Sequence, residues 1–93
     1  MTTVVNVRIE SCDVFIGRPS LFGNPFRIGI DGSRGEVIDQ YRQWFDDKIR
    51  NDPAFLAAVL KLRGKKLGCY CKPLACHGDV IADFLNNSKE EQE

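Results

Sequence analysis

"KKLGCYCKPLACHGDVIADFL", residues 65–85, decides how this chain folds. Leu67, Cys69 and Cys71 alternate with Gly68 and Tyr70, the period of an extended strand with one face turned inward. The loop "KPLACHGD" (72–79) follows, and then Val80, Ile81, Phe84 and Leu85 recur at helical spacing. A strand that feeds a helix through a tight loop is the repeating piece of an α/β fold. The same stretch packs three of the four cysteines and the only histidine into nine positions.

Upstream, "TTVVNVRI" (2–9) is β-branched and predicts a first strand, with Val5, Val7 and Ile9 on one face and Val4 on the other. "CDVFIG" (12–17) predicts a second, more buried strand. The glycine- and proline-rich segment 18–34 is too apolar for a linker. Its Leu21, Phe22, Phe26, Ile28 and Ile30 call for cover, and structured loops of this length usually serve function. Ser33 with Glu36 three positions on is a capping box. Val37, Ile38, Tyr41, Trp44, Phe45 and Ile49 then mark an amphipathic helix over 34–50. "NDP" (51–53) ends it and starts another, with Asp52 as cap and Pro53 at the first helical position; Gly64 closes that second helix.

A helical crossover between the second and third strands makes them parallel and right-handed. The expected fold is α/β: a small three-layer Rossmann-like domain, with a mostly parallel sheet of three to four strands and three helices. The fourth strand would lie near 26–30. Residues 2–86 form a single domain in this scheme, and 87–93 a disordered polar tail.

Thirteen basic residues balance thirteen acidic ones. No global field recruits nucleic acid, and a strongly acidic DNA mimic is excluded. No apolar run approaches the ~20 residues that span a bilayer, and no basic-then-apolar leader follows Met1. The expectation is a cytoplasmic protein without a membrane partner, its cysteines thiols or metal ligands rather than disulfides. Cys12, remote from the others, reads as a small buried apolar residue.

Ligands of open α/β sheets bind outside the carboxyl ends of the strands. If the second and third strands are neighbours, Gly17, Arg18, Ser20 and Asn24 leave the sheet beside Cys71, Lys72, Cys76 and His77. Arg18 suits contact with a small anionic metabolite or nucleotide. Cys76 and His77, at the start of the last helix, are the candidate nucleophile and acid/base, with Asp79 beside them. A thiol there is expected to have a lowered pKa. Plainer roles stand next to these: Asp79 as a helix cap, Asn24 as an Asn-Pro turn, Gly17 as turn geometry, Cys69 as core. Zinc on Cys69, Cys71, Cys76 and His77 is the alternative, with a spacing tighter than standard structural sites. The open sheet edges leave a homodimer through an edge strand as a further option.

With "FIGRPSLFGNPF", "YRQWF" and "LRGKKLGCYCKPLACHGDVIADFL" in view, the chain resembles the domain of unknown function 4326 family of phages, bacteria and archaea. The resemblance covers roughly residues 4 to 86. It falls on Gly17, Arg18, Pro19, Ser20, Gly23, Asn24, Pro25 and Phe26, then on Cys69, Cys71, Pro73, Cys76, His77, Gly78 and Asp79. The last segment is more distantly similar to the domain of unknown function 488, where a Cys-His pair opens a helix. These likenesses imply an α/β fold with the pair at a strand-to-helix exit, and they imply no defined reaction. They leave three functions open: a transferase or hydrolase acting on an anionic nucleotide-type ligand, a zinc-binding structural or interaction module, and a phage-encoded binder of a host protein.

Overall fold

The computed structural model describes residues 1–87. Along the chain come β1 (Thr3–Asn6), β2 (Val14–Phe15), α1 (Arg34–Asn51), α2 (Pro53–Leu60), β3 (Lys66–Cys69) and α3 (Gly78–Asn87). β3 lies in the middle of the sheet, with β1 and β2 on its two sides and both parallel to it. The α/β class is therefore observed, and β2 and β3 are the parallel neighbours that the crossover demanded. Among the described residues the sheet has three strands. The fourth, expected near 26–30, is reduced to a single bridge between Ile28 and Gly32. Asn87 closes α3, and the rest of the expected tail lies outside the described residues.

β1 is shorter than its sequence suggests because Asn6 turns the chain. Its side-chain Oδ1 accepts the Arg8 N–H at 2.9 Å, and its carbonyl accepts the N–H groups of Ile9 and Glu10. Ile9 thus leaves the strand and ends 76% exposed. The pleat sends Leu67, Cys69 and the adjoining Ile16 toward the helices, where all three are buried with Tyr41, Phe45 and Ile81. Burying each large apolar side chain contributes about 1.5–3 kcal/mol.

The opposite face of the sheet is covered by the 7–12 segment instead of a helix. Gly68 permits this, since a Cβ there would collide with Cys12 Sγ and sit 2.5 Å from Val7 Cγ1. Cys12 is accordingly half-buried against the back of β3. Phe15 and Tyr70 pack edge-on beside it, and the Arg8 guanidinium lies 5.0 Å from the Tyr70 ring centre.

The starts of α1 and α2 are capped as expected, but α2 ends at Leu60 with Lys61 as its C-cap, short of the Gly64 expected to close it. Ser33 and Glu36 bond reciprocally at the start of α1. Asp52 ends α1 and accepts the Phe55 N–H to open α2. The loop between β2 and α1 departs from expectation. Phe22 is buried, but Leu21, Ile28 and Ile30 stand 57%, 53% and 77% exposed. The turn at 27–31, closed by the Ile30 and Asp31 N–H groups on the Arg27 carbonyl, holds the two isoleucines off the core.

Candidate functional site

The exits of β2 and β3 open side by side into a cleft of about 480 Å³. One wall is the loop after β2, carrying Arg18, Asn24, Phe26, Arg27, Ile28 and Ile30; Arg34, Val37 and Ile38 of α1 continue it. The floor and far wall are Cys69, Tyr70, Cys71, Ala75, Cys76 and His77. Of the residues that the sequence nominated, Arg18, Asn24, Cys69, Cys71, Cys76 and His77 meet here.

Gly17, Ser20, Lys72 and Asp79 do not line the cleft. A Cβ on Gly17 would run into the Phe15 ring, so this glycine serves a close packing contact. Ser20 Oγ accepts the Phe22 N–H at 3.3 Å and shapes the turn. Lys72 Nζ lies 2.6 Å from Asp79 Oδ1, and Asp79 Oδ2 accepts the Cys76 N–H at 3.1 Å. Asp79 thus braces the segment that carries Cys76.

The second exit is held from several directions. Asn6, at the end of β1, donates through Nδ2 to the Lys72 carbonyl at 2.7 Å. The Cys71 N–H donates to Cys69 Sγ and the Gly78 N–H to Cys76 Sγ, each at 3.4 Å. Gly78 lets the start of α3 settle on the sheet, because a Cβ would come within 2.7 Å of Ile16 Cδ1. These bonds gather the sulfurs of Cys69, Cys71 and Cys76 within 4.8 Å of one another, two of them buried and one half-buried.

The expected acidity of the thiol needs correction. Cys76 is 1% exposed, and burial pushes its thiol above the ordinary range despite the Gly78 N–H on its sulfur. Desolvation outweighs the helix start, so the free thiol is protonated at neutral pH. His77 is 8% exposed; burial lowers its pKa, the Ile16 carbonyl opposes the shift, and the Arg18 charge assists it. Its Nε2 lies 2.8 Å from the Ile16 carbonyl, its Nδ1 3.6 Å from Cys76 Sγ, and its ring meets Tyr41 edge-on at 5.1 Å. The neutral imidazole donates from Nε2 and turns a lone pair toward the thiol. His77 also stands outside the three-sulfur group, so the expected four-ligand set reduces to three cysteines.

Asn24 does what its Asn-Pro context suggested, accepting the Phe26 N–H at 2.9 Å and donating to the Val37 carbonyl. Arg18 donates to the Asn24 carbonyl at 3.3 Å, and Arg34 reaches across to the Ala75 carbonyl at 3.2 Å. Among the described residues, no carboxylate lies within ion-pair distance of Arg18, Arg27 or Arg34. Sequence reading missed Arg27 and Arg34. The available signal was Arg34 directly after the Ser33 cap, where the first turn of a helix receives the loop before it.

No solved structure matches this chain. It is 40% identical over 84 residues to an uncharacterized 12.4 kDa protein from the nrdA-td intergenic region of Enterobacteria phage T4, covering 89% of this chain and 76% of that protein. The model of the family described as Domain of unknown function (DUF4326) matches residues 3–87, and the chain belongs to that family.

Proposed function

We propose that the cleft binds a small anionic organic ligand of the nucleotide type. The observation that carries this is the pairing of Arg18, Arg27 and Arg34, whose guanidiniums make no ion pair among the described residues although the Arg27 backbone N–H bonds the Asp31 carboxylate, with an apolar wall of Phe26, Ile28 and Ile30. On a protein of zero net charge, three such guanidiniums around one hollow are a local feature, suited to phosphate or carboxylate. Exposed isoleucines at the lip suit the apolar part of the same molecule, and mixed walls of this kind are usual for ligand pockets.

Group transfer or hydrolysis by the Cys76–His77 pair has less support, since the thiol is buried and protonated and the imidazole is tied to Ile16. The three-sulfur group favours a second reading: zinc at the floor of the cleft.

The test is a thermal-shift and calorimetric screen of nucleoside mono-, di- and triphosphates against inorganic phosphate. A ligand at a hundred times its Kd stabilises by about 2.7 kcal/mol, a shift of roughly ten degrees or more for a domain this small. Arg18→Gln and Arg34→Gln should each weaken binding about tenfold or more, as expected for a lost charged hydrogen bond. Absence of binding by the whole panel, or binding indifferent to both substitutions, overturns the proposal.

A further inference from the structure

We infer that Cys69, Cys71 and Cys76 form a three-sulfur site for a zinc-class ion whose fourth coordination position opens into the cleft. This rests on the second reading of the cleft and does not need the arginines. Tetrahedral zinc with Zn–S near 2.3 Å sets its sulfurs ~3.8 Å apart. The three sulfurs already lie within 4.8 Å of one another, so small side-chain rotations close the set. Their carriers are firmly placed: the end of β3, its immediate exit, and the braced segment before α3.

Burial keeps the free Cys76 thiol protonated, and binding the ion displaces that proton. Backbone N–H groups point at two of the sulfurs, from Cys71 to Cys69 and from Gly78 to Cys76. Such outer donors stabilise negative sulfur and orient metal ligands. A divalent ion with three thiolates carries one net negative charge. Arg18, which lines the same cleft, carries the charge to balance it, while Lys72 is already paired with Asp79. Soft sulfur ligands select zinc over magnesium or calcium.

No fourth ligand comes from the described residues. His77 Nδ1 lies 3.6 Å from Cys76 Sγ, but the ring is held by the Ile16 carbonyl and Tyr41 and falls outside the group of sulfurs that lie within 4.8 Å of one another. Asp79 is occupied by Lys72 and the Cys76 N–H. Cys12 lies on the other side of β3, behind Gly68. Closed structural zinc sites have four protein ligands, whereas three protein ligands with one open position mark the type that engages water or substrate. Here the open side is the cleft that the three cysteines line, so an anionic group held by the arginines can reach the ion.

The experiment is cobalt(II) titration of the reduced, full-length protein, with zinc competition. One equivalent of cobalt should produce sulfur-to-cobalt charge-transfer absorption and visible d–d bands of tetrahedral intensity, both abolished by zinc. Cys71→Ser, at the half-buried position and checked for fold by circular dichroism, should weaken binding about a hundredfold and reduce the charge-transfer band; Cys12→Ser should change neither. Mercaptoethanol should shift the d–d bands by filling the open position. Inorganic phosphate should also shift them in the wild type, but less when Arg18 and Arg34 are both replaced by Gln. Lack of charge-transfer absorption, unaltered binding by folded Cys71→Ser, or a disulfide within the trio under reducing conditions overturns the site. Bands indifferent to mercaptoethanol overturn its open position. A shift with mercaptoethanol but not with phosphate leaves the site standing and counts against the anion-binding proposal alone.

Discussion

Two stretches leave the sheet at the same edge, 16–33 after β2 and 70–77 after β3, and they are built alike. Each places a cation before a proline, Arg18-Pro19 and Lys72-Pro73, and both of those peptides are cis. Each ends on a helix whose first residues are capped reciprocally. Ser33 Oγ accepts the Glu36 N–H while Glu36 bonds back to the Ser33 N–H; Cys76 Sγ accepts the Gly78 N–H while Asp79 bonds back to the Cys76 N–H. The contrast is in atom and setting. Oxygen at an exposed cap satisfies backbone groups and does no more. Sulfur at a buried cap, facing a cleft beside two other sulfurs, is the atom on which the proposed metal site rests, and it already has an N–H donor.

The comparison breaks most sharply at His77. If the second exit depends on its buried side chains, His77→Ala should cost about 2–4 kcal/mol in urea unfolding, by opening a cavity against Tyr41 and leaving the Ile16 carbonyl without its donor. A loss below about 1 kcal/mol would show that the ring is not part of the core. At the first exit, Asn24→Ala removes the bonds to the Phe26 N–H and the Val37 carbonyl and should cost about 1–2 kcal/mol, measured the same way. An equal cost at both exits would erase the proposed difference between them.

The smallest effect concerns the caps and pH. Bonds from the Ser33 backbone, then from its side chain, hold the Glu36 carboxyl below its ordinary value of 4.5. Its folded pKa is depressed, so its contribution is present above that ordinary value and fades as pH falls through the folded pKa. Glu36→Gln keeps the reach of a capping box but cannot titrate. The stability gap between wild type and this variant should therefore move against the wild type as pH is lowered from about 6 to about 3. A gap constant with pH would remove Glu36 from the acid sensitivity of this exit.

How much of this was legible in the sequence depends on the range of each signal. Ser33 with Glu36, and Asp52 with Pro53, are local patterns, and the structure reproduces them. The parallel pairing of β2 and β3 followed from the helices between them, and with it the meeting of Arg18 with Cys76 and His77. Features made by distant partners did not show. Asn6 ends β1 and pins the Lys72 carbonyl, 66 residues away, while nothing nearby in sequence announces the bond. The depth of His77 depends on Ile16, just after β2, and on Tyr41 of α1, and the burial of Cys76 reversed its expected acidity. Ile28 and Ile30 looked like core by composition, yet the turn at 27–31 leaves them outside.

Gly78 has a consequence for the order in which the chain becomes competent. Its bare α-carbon lets α3 seat against Ile16 and Val4, and Cys76 and His77 take their positions only with that seating. During synthesis on the ribosome, Arg18, Arg27 and Arg34 emerge well before the three cysteines, which follow one another within eight positions. A chain clipped before α3 would keep the charge and all three cysteines but lose the helix that seats Cys76 beside the other two.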